Sequence, residues 1–179
     1  MTQQPSQDAD AIDVDALTQM GSAVFAAQMF EALFVLVARS VLMCPDAKDI
    51  DDIAPVPAKA FKQPVAALLK ELNQNKQVDE QLAERIGGWI ENRHTLVHRL
   101  ILSKPHMESR AFWQSMKDLS KSIYVDSSEL CVELAEMFRA YAAKMPRAQS
   151  WLMENQAAFD SFAKFGAEVR SKVAGKRHG

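Results

Sequence analysis

Apolar positions recur every three or four residues over long segments of this chain, which is the spacing of helices and not of strands. Segments of this kind cover residues 13–43, 61–73, 78–102, 107–144 and 147–173. Polar or proline-containing stretches separate them, and a proline removes a backbone donor and disfavours helical geometry in the residue before it. The pattern therefore predicts an all-α protein, a bundle of about five helices.

The first predicted helix is apolar on most of its circumference. In residues 23–43 the polar side chains Gln28, Glu31 and Arg39 fall together on one narrow stripe. A helix of this kind is normally buried in a core. Its longest uninterrupted apolar piece, 32–38, is far shorter than the ~20 residues that cross a bilayer. We expect the central helix of a soluble bundle, with no membrane span.

Length and local composition indicate how the chain is divided into a domain, a loop and two tails. A chain of 179 residues with 48% hydrophobic residues supports one globular domain, which we place at 13–173. Residues 1–12 are polar and lack the apolar stretch of a signal peptide, and 174–179 form a basic tail. Between the first two helices, residues 44–60 contain three prolines and four aspartates, which predicts an acidic loop.

Charge and cysteine content exclude several classes of protein. Two cysteines are too few for a disulfide framework or a Cys-rich zinc module, so we expect a cytoplasmic protein. The formal net charge of −2 argues against a protein coated with positive charge for nonspecific nucleic-acid binding. Any nucleic-acid site must therefore be local.

Histidine and arginine cluster around the end of the third predicted helix. His94, His98 and His106 lie within thirteen residues. At 100° per residue, Arg93 falls in the middle of the apolar face of this helix. A guanidinium on a core-facing side is costly unless a carboxylate or a bound anion lies opposite. Glu31 is the candidate partner, and a purely structural buried ion pair is the competing interpretation.

A polar stripe follows one flank of the same helix. Gly87, Glu91, His94 and His98 are spaced at i, i+4, i+7 and i+11. Each of the adjacent glycines Gly87 and Gly88 costs roughly 1 kcal/mol relative to alanine in a helix interior. Close approach of another backbone, from a neighbouring helix or a second subunit, would compensate for that cost. The alternative is an ordinary solvated face.

The segment 90–99, IENRHTLVHR, resembles the R-x4-6-H motif of HEPN domains, in which a polar residue, here His94, commonly follows the arginine. HEPN domains are small helical bundles that carry the motif on a late-middle helix and commonly pair with the two motifs facing each other. Many members are metal-independent ribonucleases, including toxins of toxin–antitoxin pairs and defence effectors, and others are non-catalytic binding modules. One departure is Asn92, which stands where many members have a second arginine.

The resemblance implies RNA as substrate, a homodimer, an antitoxin or other protein as partner, and neither metal nor cofactor. It assigns catalysis to Arg93 and His98 and substrate binding to His94, Glu91, Asn92 and Arg99. A histidine with a pKa near ~6.5 suits proton transfer at neutral pH, and an arginine suits the charge of a phosphorane. On an ideal helix, however, Arg93 and His98 lie about 140° apart, so two apposed chains are expected to form the site.

Three rival interpretations remain open on the residues alone. Glu91-x-x-His94 has the spacing of di-iron carboxylate bundles, but the second copy of that motif is absent. Glu91, His94 and His98 also have the spacing of a mononuclear metal site. The strongest rival is a non-catalytic helical module that uses the same histidine and arginine side chains to bind a partner protein or nucleotide.

Overall fold

The described part of the chain is built from helices. A computed structural model describes residues 13–53, 56–102, 109–145, 147–154, 156, 157, 160, 161 and 164. The α-helices within these ranges are α1 (Val14–Val37), α2 (Val65–Gln74), α3 (Glu80–Leu102), α4 (Arg110–Ala142) and α5 (Ala148–Glu154). A π-helical turn, Ala38–Leu42, extends α1, and two short 3-10 helices, Ile50–Asp52 and Ala58–Lys62, interrupt the connection to α2. No strand occurs in these ranges, so the all-α prediction is confirmed.

Short polar side chains define the starts of the three long helices. The Asp13 carboxylate accepts a hydrogen bond from the Ala16 amide at 2.9 Å, and Asp79 accepts one from Leu82 at 3.1 Å. At the start of α4, the Ser109 hydroxyl accepts from the Phe112 amide at 3.1 Å. Each bond satisfies an amide that has no partner inside its own helix.

Helices α1 and α4 run side by side in the same direction. Near their starts, Lys117 Nζ lies 2.7 Å from Asp13 Oδ2, and this contact lowers the pKa of the Asp13 carboxyl. Near their ends, the Tyr141 hydroxyl donates a hydrogen bond to the Cys44 carbonyl. α3 runs antiparallel to both, because Arg85 pairs with Glu133 of α4 while the later residue Trp89 bonds the earlier Ser127.

The hydrophobic core lies between these three helices. Trp89 of α3 is 2% exposed and meets Phe30 of α1 edge to face, with ring centroids 4.5 Å apart. Its indole Nε1 donates to the Ser127 hydroxyl of α4 at 2.8 Å. A buried indole N–H needs such a partner, so this bond ties the buried face of α3 to α4.

Helix α1 is only half enclosed, contrary to the expected burial on most sides. Val14, Leu17, Val24 and Phe25 are exposed along its outer face. The stretch Val14–Leu42 is long and apolar enough to cross a bilayer by length and composition, with a mean hydropathy of 1.7, and 50% of that window is buried. Core helices of soluble proteins share these properties, and the carboxylate of Glu31 interrupts the stretch.

The predicted start of the second helix was wrong. α2 begins at Val65 and not at residue 61, with Pro64 as its extended N-cap residue, because a proline cannot donate the helical hydrogen bond. The segment before it forms the 3-10 helix Ala58–Lys62. α4 continues unbroken through Ser127 and Ser128, although serine favours helix starts. Both residues are buried, and the Ser128 hydroxyl donates to the Tyr124 carbonyl.

The acidic loop and the chain ends agree with the prediction only in part. In the loop 44–60, Ile50 and Ile53 are buried against the core, and Arg147 pairs with Asp49 and Asp51 at 3.0 and 2.7 Å. The fifth predicted helix, 147–173, is observed as Ala148–Glu154, and most of the remainder lies outside the described residues. The predicted tails, 1–12 and 174–179, lie outside them as well.

Candidate functional site

Arg93 forms the ion pair that its position on α3 predicts. Its Nε lies 2.6 Å from Glu31 Oε1 of α1. The partner is therefore confirmed, but the predicted burial is wrong, since the side chains of Arg93 and Glu31 are 44% and 31% exposed. The long arginine side chain can cover apolar surface with its methylene groups while its charged head reaches water, which reconciles the apolar wheel position with the exposure.

His94 and His98 form a contacting pair on the surface of α3. Their ring centroids are 3.9 Å apart and the ring planes are inclined at 49°. The i, i+4 spacing predicts this proximity, and both residues are exposed, as the alternative of a solvated face expects. Around the helix axis His94 lies between Arg93 and His98, so it links the arginine to the second imidazole.

A cleft of about 460 Å³ opens beside Arg93 and His94. Its walls come from α1, from α3, and from the 3-10 helix with the start of α2. Apolar side chains, among them Val35, Val65 and Trp89, line it together with polar ones. Clefts of this size that combine apolar walls with a few polar groups are typical of small-ligand sites.

A hydrogen-bonded network holds the α2 side of this cleft. Arg39, which lies in the π-helical turn after α1, contacts Glu71 of α2 with Nη2 to Oε2 at 3.3 Å. Arg39 also donates a hydrogen bond to the Gln63 side chain, and Gln63 lines the cleft. π-Helical turns are frequent near functional sites. Nothing in the sequence indicated this network beyond the place of Arg39 on the polar stripe of the first predicted helix.

The other residues proposed from the sequence are only partly brought together. Glu91 is exposed, and the carboxylate that pairs with Arg93 is Glu31 and not Glu91. Asn92 is half-buried. Arg99 lies in the last turns of α3, where only the backbone is described, and His106 lies outside the described residues.

The two metal interpretations receive no support from the described residues. Among them, no group of three or more His, Cys, Asp or Glu side chains converges on a common point. Glu91 therefore does not join His94 and His98 as a third ligand. The buried Cys131 is no nucleophile either, because burial raises the pKa of its thiol to about 12.

The glycine pair Gly87–Gly88 has free space around it within one chain. Apart from its chain neighbours and the backbone of α3 itself, a Cβ atom added at either position would meet no heavy atom within 4 Å. Close approach of a neighbouring helix, one of the two predicted explanations, is therefore wrong. A second subunit remains a prediction.

Together these residues place an arginine, two contacting imidazoles and a cleft along the middle and the C-terminal half of α3. Such a set can bind an anion and transfer protons at neutral pH. In comparisons with known proteins, the chain matches no family model, no curated protein and no solved structure.

Proposed function

We propose that this protein is a HEPN-like, metal-independent endoribonuclease whose reacting groups are His98 and Arg93. The observation that supports the proposal is the exposed His94–His98 pair, with ring centroids 3.9 Å apart, next to an arginine at the rim of a cleft. Exposure matters because an imidazole must reach the proton that it transfers. An antitoxin or other protein partner and a cytoplasmic location belong to the same proposal.

The proposed reaction uses the substrate's own hydroxyl as nucleophile. An imidazole, which we assign to His98, removes the proton of the RNA 2′-hydroxyl, and the 2′-oxygen attacks the adjacent phosphorus. The bond from phosphorus to the 5′-oxygen breaks, and a protonated imidazole delivers a proton to that oxygen. The guanidinium of Arg93 stabilises the negative charge of the phosphorane, and His94 orients the phosphate. The products are a 2′,3′-cyclic phosphate and a 5′-hydroxyl.

A homodimer is part of this proposal. Arg93 and His98 diverge by about 140° around one ideal helix, so a partner chain is expected to bring Arg93 of one copy to the phosphate held by His98 of the other. The open surface at Gly87 and Gly88 would admit the backbone of that partner. Sedimentation at micromolar concentration tests this, and a monomer at all accessible concentrations would contradict it.

Matched RNA and DNA oligonucleotides, with and without EDTA, test the chemistry. RNA alone should be cleaved, because DNA lacks the 2′-hydroxyl, and EDTA should have no effect. Arg93→Ala should lose cleavage, whereas Arg85→Ala on the same helix should keep it, because Arg85 pairs with Glu133 away from the histidines. Equal cleavage of DNA, or loss of RNA cleavage on chelation, would refute the proposed mechanism.

One observation favours a second candidate, a non-catalytic module that binds a protein or nucleotide. The Glu31 carboxylate lies 2.6 Å from Arg93 and neutralises much of the charge that a phosphorane would require. In a binding module that ion pair would simply hold α3 to α1. If neither RNA nor DNA is cleaved while the protein remains folded and dimeric, this second candidate replaces the first.

A further inference from the structure

One wall of the cleft carries an aromatic ring and a cation that the proposed chemistry does not use. Phe61 and Lys62 lie at the end of the 3-10 helix Ala58–Lys62, and both line the cleft. Phe61 is 47% exposed, although it lies beside buried apolar side chains such as Val65 and Trp89. Such an exposed ring in a cleft offers a flat apolar surface to a ligand.

We propose that this cleft is a binding subsite for one ribonucleotide, with the base against Phe61 and a phosphate between Lys62 and Arg93. The volume, about 460 Å³, lies within the range of small-ligand sites. Aromatic side chains stack on bases irrespective of base type, because every base has a π-face. The Gln28 side chain, on the α1 wall, carries both donors and an acceptor for the polar edge of a base.

The charges at the cleft match an anionic ligand. Lys62 and Arg93 contribute two positive charges and Glu31 one negative charge, which leaves a net charge of +1 before His94 is counted. The ion pair with Glu31 uses Nε of Arg93. A guanidinium has further donors on its two Nη atoms, so Glu31 and a phosphate can be bound by the same side chain.

The inference rests on the proposed function in one respect, namely that the nucleotide belongs to an RNA substrate. His94 lines the cleft and contacts His98. A nucleotide in the cleft would therefore neighbour the phosphate that His98 is proposed to act upon. A nucleotide bound in the cleft would therefore determine which phosphodiester linkage of the RNA reaches the histidines.

Binding of the four ribonucleoside 3′-monophosphates, measured by isothermal titration, tests the subsite without any cleavage. Inorganic phosphate and the four free nucleosides are titrated in the same way, as two further sets of ligands. Phe61→Ala should weaken nucleotide binding about tenfold by loss of stacking. Lys62→Ala should weaken it about fivefold, and this loss should be absent for the free nucleosides.

The chain offers two matched controls outside the cleft lining. Phe25 is an exposed phenylalanine of α1 that does not line the cleft, and Lys59 lies in the same 3-10 helix as Lys62 without lining it. Phe25→Ala and Lys59→Ala should bind nucleotides like the parent. The four substituted positions are exposed, and thermal melts confirm that each variant is folded.

The outcomes separate this inference from the proposed function. No nucleotide binding at millimolar concentration, or equal losses in the cleft variants and their controls, would overturn the subsite even if RNA is cleaved. Binding of inorganic phosphate as tightly as of nucleotides would overturn the role of Phe61. Nucleotide binding that depends on Phe61, in a protein that cleaves no RNA, would support the subsite and refute the ribonuclease.

Discussion

Removal of Arg93 should cost far less stability than its place on the apolar face of α3 implies. Breaking a buried ion pair costs about 3–5 kcal/mol, whereas an exposed pair contributes about 0–1 kcal/mol. The side chains of Arg93 and Glu31 are 44% and 31% exposed. We therefore expect their ion pair to contribute near the upper end of the range for exposed pairs. We expect Arg93→Ala to lower the free energy of unfolding by about 1 kcal/mol, which is about 2–4 °C in Tm for a domain of this size.

A double-mutant cycle isolates the pair from other effects of the substitutions. Arg93→Ala, Glu31→Ala and the double variant are unfolded in urea, and the coupling energy should be about 1 kcal/mol or less. Arg85 and Glu133 provide a reference, because they also join α3 to another helix at 2.6 Å with side chains 41% and 40% exposed. The two cycles should give coupling energies within a few tenths of a kcal/mol of each other.

Two results would refute this reasoning. A coupling energy above about 3 kcal/mol for Arg93 and Glu31 would mean that the pair is buried in solution, for instance under a second subunit. Repeating the cycle at high and low protein concentration identifies that case. A coupling energy of zero, beside a measurable one for Arg85 and Glu133, would mean that the Arg93 contact does not form.

Three further predictions concern single side chains. His98→Ala should abolish RNA cleavage, while its free energy of unfolding should stay within about 0.5 kcal/mol of the parent value because the ring is exposed. A large loss of stability would instead show that His98 has a packing role. Ser127→Ala should cost about 1–3 kcal/mol in urea unfolding, since it leaves the buried Trp89 N–H without its acceptor, whereas the exposed Ser150→Ala should be neutral. A thiol reagent should label at most one of the two cysteines in the folded protein, because Cys131 is fully buried and burial raises the pKa of its thiol to about 12. Both cysteines should be labelled after unfolding, and rapid labelling of Cys131 in the native protein would show that the core opens.

The helices themselves follow from local chemistry. Apolar spacing located the long segments, and the caps at Asp13, Asp79 and Ser109 involve only neighbouring residues. Where local preference and packing disagree, packing prevailed. Ser127 and Ser128 favour a helix start in isolation, but inside α4 the hydroxyl of Ser127 accepts the Trp89 indole N–H. That partner is 38 residues away along the chain, so no local window contains it.

The candidate site also has a part that follows from local sequence and a part that follows only from packing. Periodicity alone determined that His94 and His98 share one flank of α3, and the cost of a charge on an apolar face identified Glu31 as the partner of Arg93. How far Arg93 reaches into water depended on how α1 and α3 are set against each other. The cleft, with Phe61 and Lys62 on its wall, forms where the segment before α2 lies beside α1 and α3, and Arg39 contacts that segment at Gln63. Helical spacing is a property of a few consecutive residues and can be read from them, whereas exposure and enclosed volume are properties of several segments packed together, which only the tertiary structure decides.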